Sequence, residues 1–110
     1  MEGNVYQQLA KRTVNGSLSK PEMVLHSLHG MSGEVGEIHS LYQKVYQGHS
    51  MDEEHLKKEV GDLMWFIAEF CIANDFSLSE IMEMNIEKLK ARFPEGFNVE
   101  HSLHRKEGDV

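Results

Sequence analysis

Residues 28–70 read LHGMSGEVGEIHSLYQKVYQGHSMDEEHLKKEVGDLMWFIAEF, two periodic apolar segments meeting at one turn. Before Gly48, the residues Leu28, Met31, Val35, Ile38, Tyr42 and Val45 recur at intervals of three and four. After it, Leu56, Val60, Leu63, Ile67, Phe70 and Asn74 repeat the spacing. A stripe of that period marks one face of an α-helix, and the ordinary destination of such a face is a core. No alternation of β type competes with it. The connection between the two segments is a few residues long, so the helices should be antiparallel neighbours.

Helix punctuation extends this reading outward. Ser19-Lys20-Pro21-Glu22, Ser50-Met51-Asp52-Glu53 and Ser77-Leu78-Ser79-Glu80 each read as a capping box, a serine followed three residues later by an acid. Pro21 falls in a first turn, where its missing N–H costs nothing. Gly48, Asn74-Asp75 and Pro94-Glu95-Gly96 read as stops. The predicted helices are a short one at about 5–12 and three longer ones at about 20–47, 51–74 and 78–93. The tail from about 95 to 110 reads as irregular. The fold class is therefore all-α: residues 1–110 as one domain, an antiparallel helical bundle of about four helices.

Composition bounds the function. The 110 residues carry 18 Asp+Glu against 11 Lys+Arg, a formal charge of −7. Binding a nucleic-acid backbone depends on clustered Lys and Arg, so nucleic acid is not an expected partner. The longest apolar run, 63–68, is far short of the ~20 residues that span a bilayer, so no membrane segment is expected. One cysteine, Cys71, permits neither an internal disulfide nor a four-cysteine zinc site, and it reads as inert packing. A soluble, cytoplasmic protein is expected.

The acids within the two helices carry the chemistry. Glu34-Val35-Gly36-Glu37 and Glu59-Val60-Gly61-Asp62 are each an acid-x-x-acid pair, with both carboxylates on one helix face. Each pair brackets a residue of the apolar stripe, where a surface acid seldom falls. Glu37 lies eleven residues before Gly48 and Glu59 eleven after, while Glu34 and Asp62 lie fourteen before and after. In an antiparallel hairpin such positions share a height, so the four carboxylates should converge between axes about 8–10 Å apart. Converging carboxylates either raise their pKa values or take up a cation. An all-oxygen set suits a hard ion, Mg²⁺ or Mn²⁺, rather than zinc. Gly30, Gly33 and Gly36 in the first helix and Gly61 in the second read as clearance for a neighbouring helix or a ligand.

At this point the sequence resembles a known family. Glu34-x-x-Glu37, 21 intervening residues and Glu59-x-x-Asp62 resemble the signature of MazG-like nucleotide pyrophosphohydrolases, in the all-α NTP pyrophosphatase superfamily. The flanking words 33–38 and 59–65 are similar too, and 85–97 (NIEKLKARFPEGF) resembles the family's final helix and its exit. The resemblance implies Mg²⁺-dependent hydrolysis of a nucleoside triphosphate, NTP or dNTP, to the monophosphate and pyrophosphate, in nucleotide pool control or house-cleaning. It implies that Glu34, Glu37, Glu59 and Asp62 hold Mg²⁺, with Mn²⁺ as a substitute, and that Glu37 or Glu59 orients the attacking water. Lys88 and Arg92, four apart on the last helix, match basic positions of the family and would clamp phosphates, with Asn85 near the same face. Lys44, two turns beyond Glu37, is a further phosphate candidate. Trp65 and Tyr42 are candidates for a base pocket, although aromatics at helical spacing more often belong to a core. The resemblance also implies a homo-oligomer, dimer or tetramer, and seven methionines with nine aromatics are a generous apolar supply for one thin bundle.

Two alternatives compete. A ferritin-like di-iron bundle would need Glu-x-x-His on two helices, a word absent from this sequence. A non-catalytic helical dimerisation module with a divalent-metal site would keep the acids without turnover. In the metal-site reading the charge also divides. Setting four acids aside leaves 14 against 11 bases, an ordinary surface balance.

Overall fold

In the computed structural model, which describes all 110 residues, five helices follow one another without a strand: α1 (Gly3–Lys11), α2 (Lys20–Tyr46), α3 (Glu53–Ala73), α4 (Leu78–Arg92) and α5 (Val99–Leu103). About 70% of the chain is helical, the all-α class expected. α2 and α3 form the predicted antiparallel hairpin, α1 packs across α3, and α4 docks on α1.

The ends follow local chemistry. Ser19 and Glu22 form a complete capping box at α2, with Pro21 in its first turn. At α3 the cap is Asp52 and not Ser50, because the Asp52 side chain reaches the His55 N–H and starts the helix two residues later. Ser77 caps α4 through the Glu80 N–H. Two further amides of that first turn are satisfied from α1: Asn4 Oδ1 accepts from Ser79 N, and Gln7 Oε1 from Leu78 N. This brings α1 and α4 close enough that a Cβ on Gly3 would lie 2.6 Å from Met82 Sδ. The chain reverses at Gly48, Asp75 and Gly96, all at positive φ. The tail is less irregular than its composition suggests. Asn98 accepts from His101 N and opens the short α5, a cap not expected from the sequence.

The hairpin register agrees with equidistance from Gly48. Gly30 and Phe66, eighteen residues either side, touch across the seam, and His26 Nδ1 lies 2.9 Å from both oxygens of Glu69. A Cβ on Gly30 would overlap the Phe66 ring. Gly30→Ala should therefore cost about 1–3 kcal/mol, read as a lowered urea midpoint with unchanged slope. Gly33, Gly36 and Gly61 have open space where a Cβ would go, so within one protomer they clear nothing.

The core differs from the expected stripe on α2, whereas on α3 four of the six expected positions, Leu56, Leu63, Phe70 and Asn74, are half-buried. Of 110 residues only eight are buried: Gly3, Ala10, Ser27, Leu41, Ala68, Glu69, Cys71 and Ala73. The seam of α2 runs through Ser27, Gly30, Glu34, Ile38 and Leu41, and the expected stripe lies about a quarter-turn round the same helix. Leu28, Val35, Tyr42 and Val45 are exposed, as are Val60, Met64 and Ile67 on α3. Ser27 and Gly30 admit the neighbouring helix at one end of the seam, where Gly30 meets the Phe66 ring, and several larger apolar side chains of α2 are left facing outward. No residue of α4 is buried. The radius of gyration is 17.3 Å, against about 13 Å for a compact chain of ~100 residues. No helix is long and apolar enough to cross a membrane.

Candidate metal centre

The seam of α2 passes through Glu34, so this carboxylate points between the helices rather than to water. Glu59 and Asp62 approach from α3, and one oxygen from each of the three lies within 4.8 Å of the others. Glu37, one turn further along α2, is exposed and its carboxylate stays outside this group. The register that sets Glu34 level with Asp62 leaves Glu34 also in reach of Glu59. Glu37 is rotated off the seam toward solvent.

Electrostatics follow from that crowding. Glu34 Oε2 is buried and has no hydrogen-bond partner. A carboxylate oxygen so placed must share a proton or meet a cation. The Glu34 carboxyl is pushed up to about 7, first by its hydrogen bond with Glu59, then by burial and by the charges of Glu59, Asp62 and Glu37. Glu59 is held below the usual carboxylate range, chiefly by the same hydrogen bond and then by His55. Below about pH 7 the pair therefore carries one proton, on the Glu34 side.

A pH prediction follows for the metal-free protein. Glu34 binds its proton more tightly folded than unfolded, so ionising it opposes folding. Stability should fall as pH rises from 4.5 through about 7 and then level off. The Glu59 contribution has the opposite sign and a lower window: it is present above its unfolded pKa and lost as pH falls through the folded one. Urea midpoints at pH 5, 6, 7 and 8 check this. In Glu34→Gln the decline assigned to Glu34 should disappear.

Two residues not singled out from the sequence join the site. His55 Nε2 lies 3.0 Å from Glu59 Oε1, one helical turn away on α3, and fixes that carboxylate from behind. The i,i+4 spacing of His55 and Glu59 was the available signal. Tyr6 arrives from α1 by tertiary packing alone. Burial raises its phenol pKa, and the charge of Asp62 raises it further.

The other candidates are dispersed. Lys88 and Arg92 line one cavity on α4, bordered by the tail. Asn85 and Lys44 are exposed and lie outside that cavity. Trp65 donates from Nε1 to Thr13 Oγ1 at 2.8 Å and stands edge-on to Phe66, so it ties the α1–α2 loop to α3. Tyr42 lines a shallow depression near the hairpin turn with Val45, Met51 and Leu56, apart from Trp65. Cys71 is buried and its thiol pKa is raised by burial, which fits inert packing.

Comparison with known proteins gives the same assignment as the acids. The Gene 37 protein of Mycobacterium phage L5 is 28% identical over 105 residues, covering 87% of this chain and 92% of that protein. No solved structure gives a significant match. The family profile of the MazG nucleotide pyrophosphohydrolase domain matches residues 24–97, a span holding all three clustered carboxylates, and on that match the chain belongs to the MazG family.

Proposed function

We propose that this protein is a Mg²⁺-dependent nucleotide pyrophosphohydrolase, cleaving an NTP or dNTP to the monophosphate and pyrophosphate in nucleotide pool control or house-cleaning. A cytoplasmic setting is part of the proposal. The observation that carries it is the buried, unpartnered Glu34 Oε2 in a seam where Glu59 and Asp62 also converge. Three hard oxygen donors with one buried lone pair unsatisfied fit a divalent ion of the Mg²⁺ or Mn²⁺ type. Family membership supports the class of reaction.

In this reading Glu34, Glu59 and Asp62 would hold the ion, with Glu37, one turn along α2, as the fourth ligand of the set. Bound there, Mg²⁺ supplies positive charge for phosphate oxygens and lowers the pKa of water. Glu34 gives up the proton it shares with Glu59 as the ion binds, so affinity weakens below about pH 7. His55 keeps Glu59 oriented. Lys88 and Arg92 neutralise the phosphate chain, Arg92 through its guanidinium fork. Asn85 and Lys44 are outer polar contacts, and Tyr42 and Trp65 are the aromatic candidates for the base.

The proposed working unit is a homo-oligomer, dimer or tetramer. α4, which carries Lys88 and Arg92, has no extensive contact within the protomer with α2 or α3, which carry the acid cluster. A second copy seated on the exposed apolar faces is the economical way to bring them to one substrate. The direct test is pyrophosphate release from a panel of NTPs and dNTPs with Mg²⁺. Absence of turnover with every nucleotide at several pH values would sink the catalytic reading and leave the dimerisation module. Stoichiometric Mn²⁺ binding would then be the only function of the acids.

A further inference from the structure

The C-terminal tail folds back on α4, and the two border a half-open cavity of about 410 Å³. Lys88 and Arg92 line it from α4, and His101, His104, Arg105 and Lys106, together with the acids Glu107 and Asp109, line it from α5 and the tail. This chain of net charge −7 thus collects four of its eleven Lys and Arg around one hollow. Lys88, Arg105 and Lys106 have no ion-pair partner. Arg92 has one, and it is unusual. Its Nε and Nη2 each donate to an Asp109 oxygen at 2.7 Å, with the two side chains only 10% and 14% exposed. A two-pronged, desolvated grip of that kind is how arginine holds a carboxylate or a phosphate.

Charge is out of balance in this cavity. Asp109 offers one negative charge to Arg92, and its carboxyl is held low by that bond first and then by the charges of Arg105 and Lys88. Four cations, Lys88, Arg92, Arg105 and Lys106, therefore line the hollow with two carboxylates, Glu107 and Asp109, and of the two only Asp109 is ion-paired. A diphosphate or triphosphate would bring several charges to the same space. The tail lies beyond residue 97, where the match to the family domain ends.

We propose that α4 and the C-terminal tail form a polyphosphate-binding site, in which Asp109 is an internal occupant that an incoming phosphate chain displaces from Arg92. The proposal rests on reading Lys88 and Arg92 as phosphate ligands and adds Arg105 as a further ligand and Asp109 as their competitor. It makes the tail a tuning element: the Asp109 carboxylate lowers affinity, and the tail cations raise it.

The test is calorimetric titration of the full-length, metal-free protein with inorganic tripolyphosphate at fixed low salt. No turnover is read, so a failure of catalysis at the acid cluster leaves the result interpretable. Asp109→Asn keeps the shape and removes the charge, and should bind about tenfold more tightly than wild type, the scale of one charge-assisted pair. Arg105→Ala in the Asp109→Asn background should lose much of that gain, and Arg92→Ala should lose binding altogether. Circular dichroism with limited proteolysis of the tail confirms that each variant keeps α4 and α5. If Asp109→Asn binds no more tightly than wild type while the tail stays docked, the carboxylate is a structural clasp and the proposal fails. It also fails if the double variant binds as well as Asp109→Asn, or if a single orthophosphate binds as tightly as the chain of three.

Discussion

Glu34→Gln is expected to stabilise the metal-free protein at pH 8 while cutting pyrophosphate release by at least about 100-fold, the usual scale for removing one electrostatic group from a reacting centre. The two effects share a cause. Above pH 7 the Glu34 carboxylate is an ionised group with a buried, unpartnered oxygen among acids. Glutamine removes the charge at nearly the same volume, and its amide can donate to Glu59. Repulsion falls, so the thermal midpoint without metal rises. Where repulsion falls, attraction for a cation falls with it. Wild type should gain stability when Mn²⁺ is added, by mass action on the folded state, and Glu34→Gln should gain little. At pH 5 the native carboxyl is already protonated, so the stability difference without metal should nearly vanish. Thermal melts at both pH values, with and without Mn²⁺, check each part. An unchanged Mn²⁺ shift in the variant would remove Glu34 from the metal site.

Leu28→Asp should have the larger effect on the molecule as a whole. Leu28 is 44% exposed in the protomer, on a face shared with Val35, Tyr42 and Val45, and α3 presents Val60, Met64 and Ile67 in the same way. Fully burying one such side chain is worth about 1.5–3 kcal/mol, against a total stability of about 5–15 kcal/mol for a typical domain. With eight buried residues the isolated protomer has little of its own to spend. In the proposed oligomer, an unpaired carboxylate buried on that face costs more than the lost leucine. The expected result is sedimentation at the monomer mass and a thermal midpoint lowered by more than about 10 °C. The wild-type midpoint should rise with protein concentration, as it does whenever association and folding are linked. A wild type that sediments as a monomer, with a midpoint independent of concentration, would contradict the assembly and the shared site.

The first four helices could be read to within about two residues at each end, since their signals are local, while α5 was not. The spacing of three and four is a property of one helix, and caps such as Ser19 and Ser77 bond within their own first turn. The hairpin register was equally accessible, because a short connection leaves two helices one way to lie, and Gly30 meets Phe66 at the matching height. For the same reason the acid pairs match across the turn in the sequence alone.

What the periodicity left open was which of two adjacent stripes on α2 would be covered. Both recur at helical spacing, and a linear pattern does not say which face a neighbour takes. Packing chose the narrow stripe of Ser27, Gly30 and Leu41, which placed Glu34 in the seam and left Val35 and Glu37 outside it. Three carboxylates rather than four converge as a result. Contacts between distant segments were also out of reach, since nothing near Tyr6 announces Asp62 and nothing near Arg92 announces Asp109. Local spacing therefore specified the helices, their order and the acid pairs. Close approach between helices, a three-dimensional matter of side-chain size, determined which oxygen is buried and which arginine is already occupied.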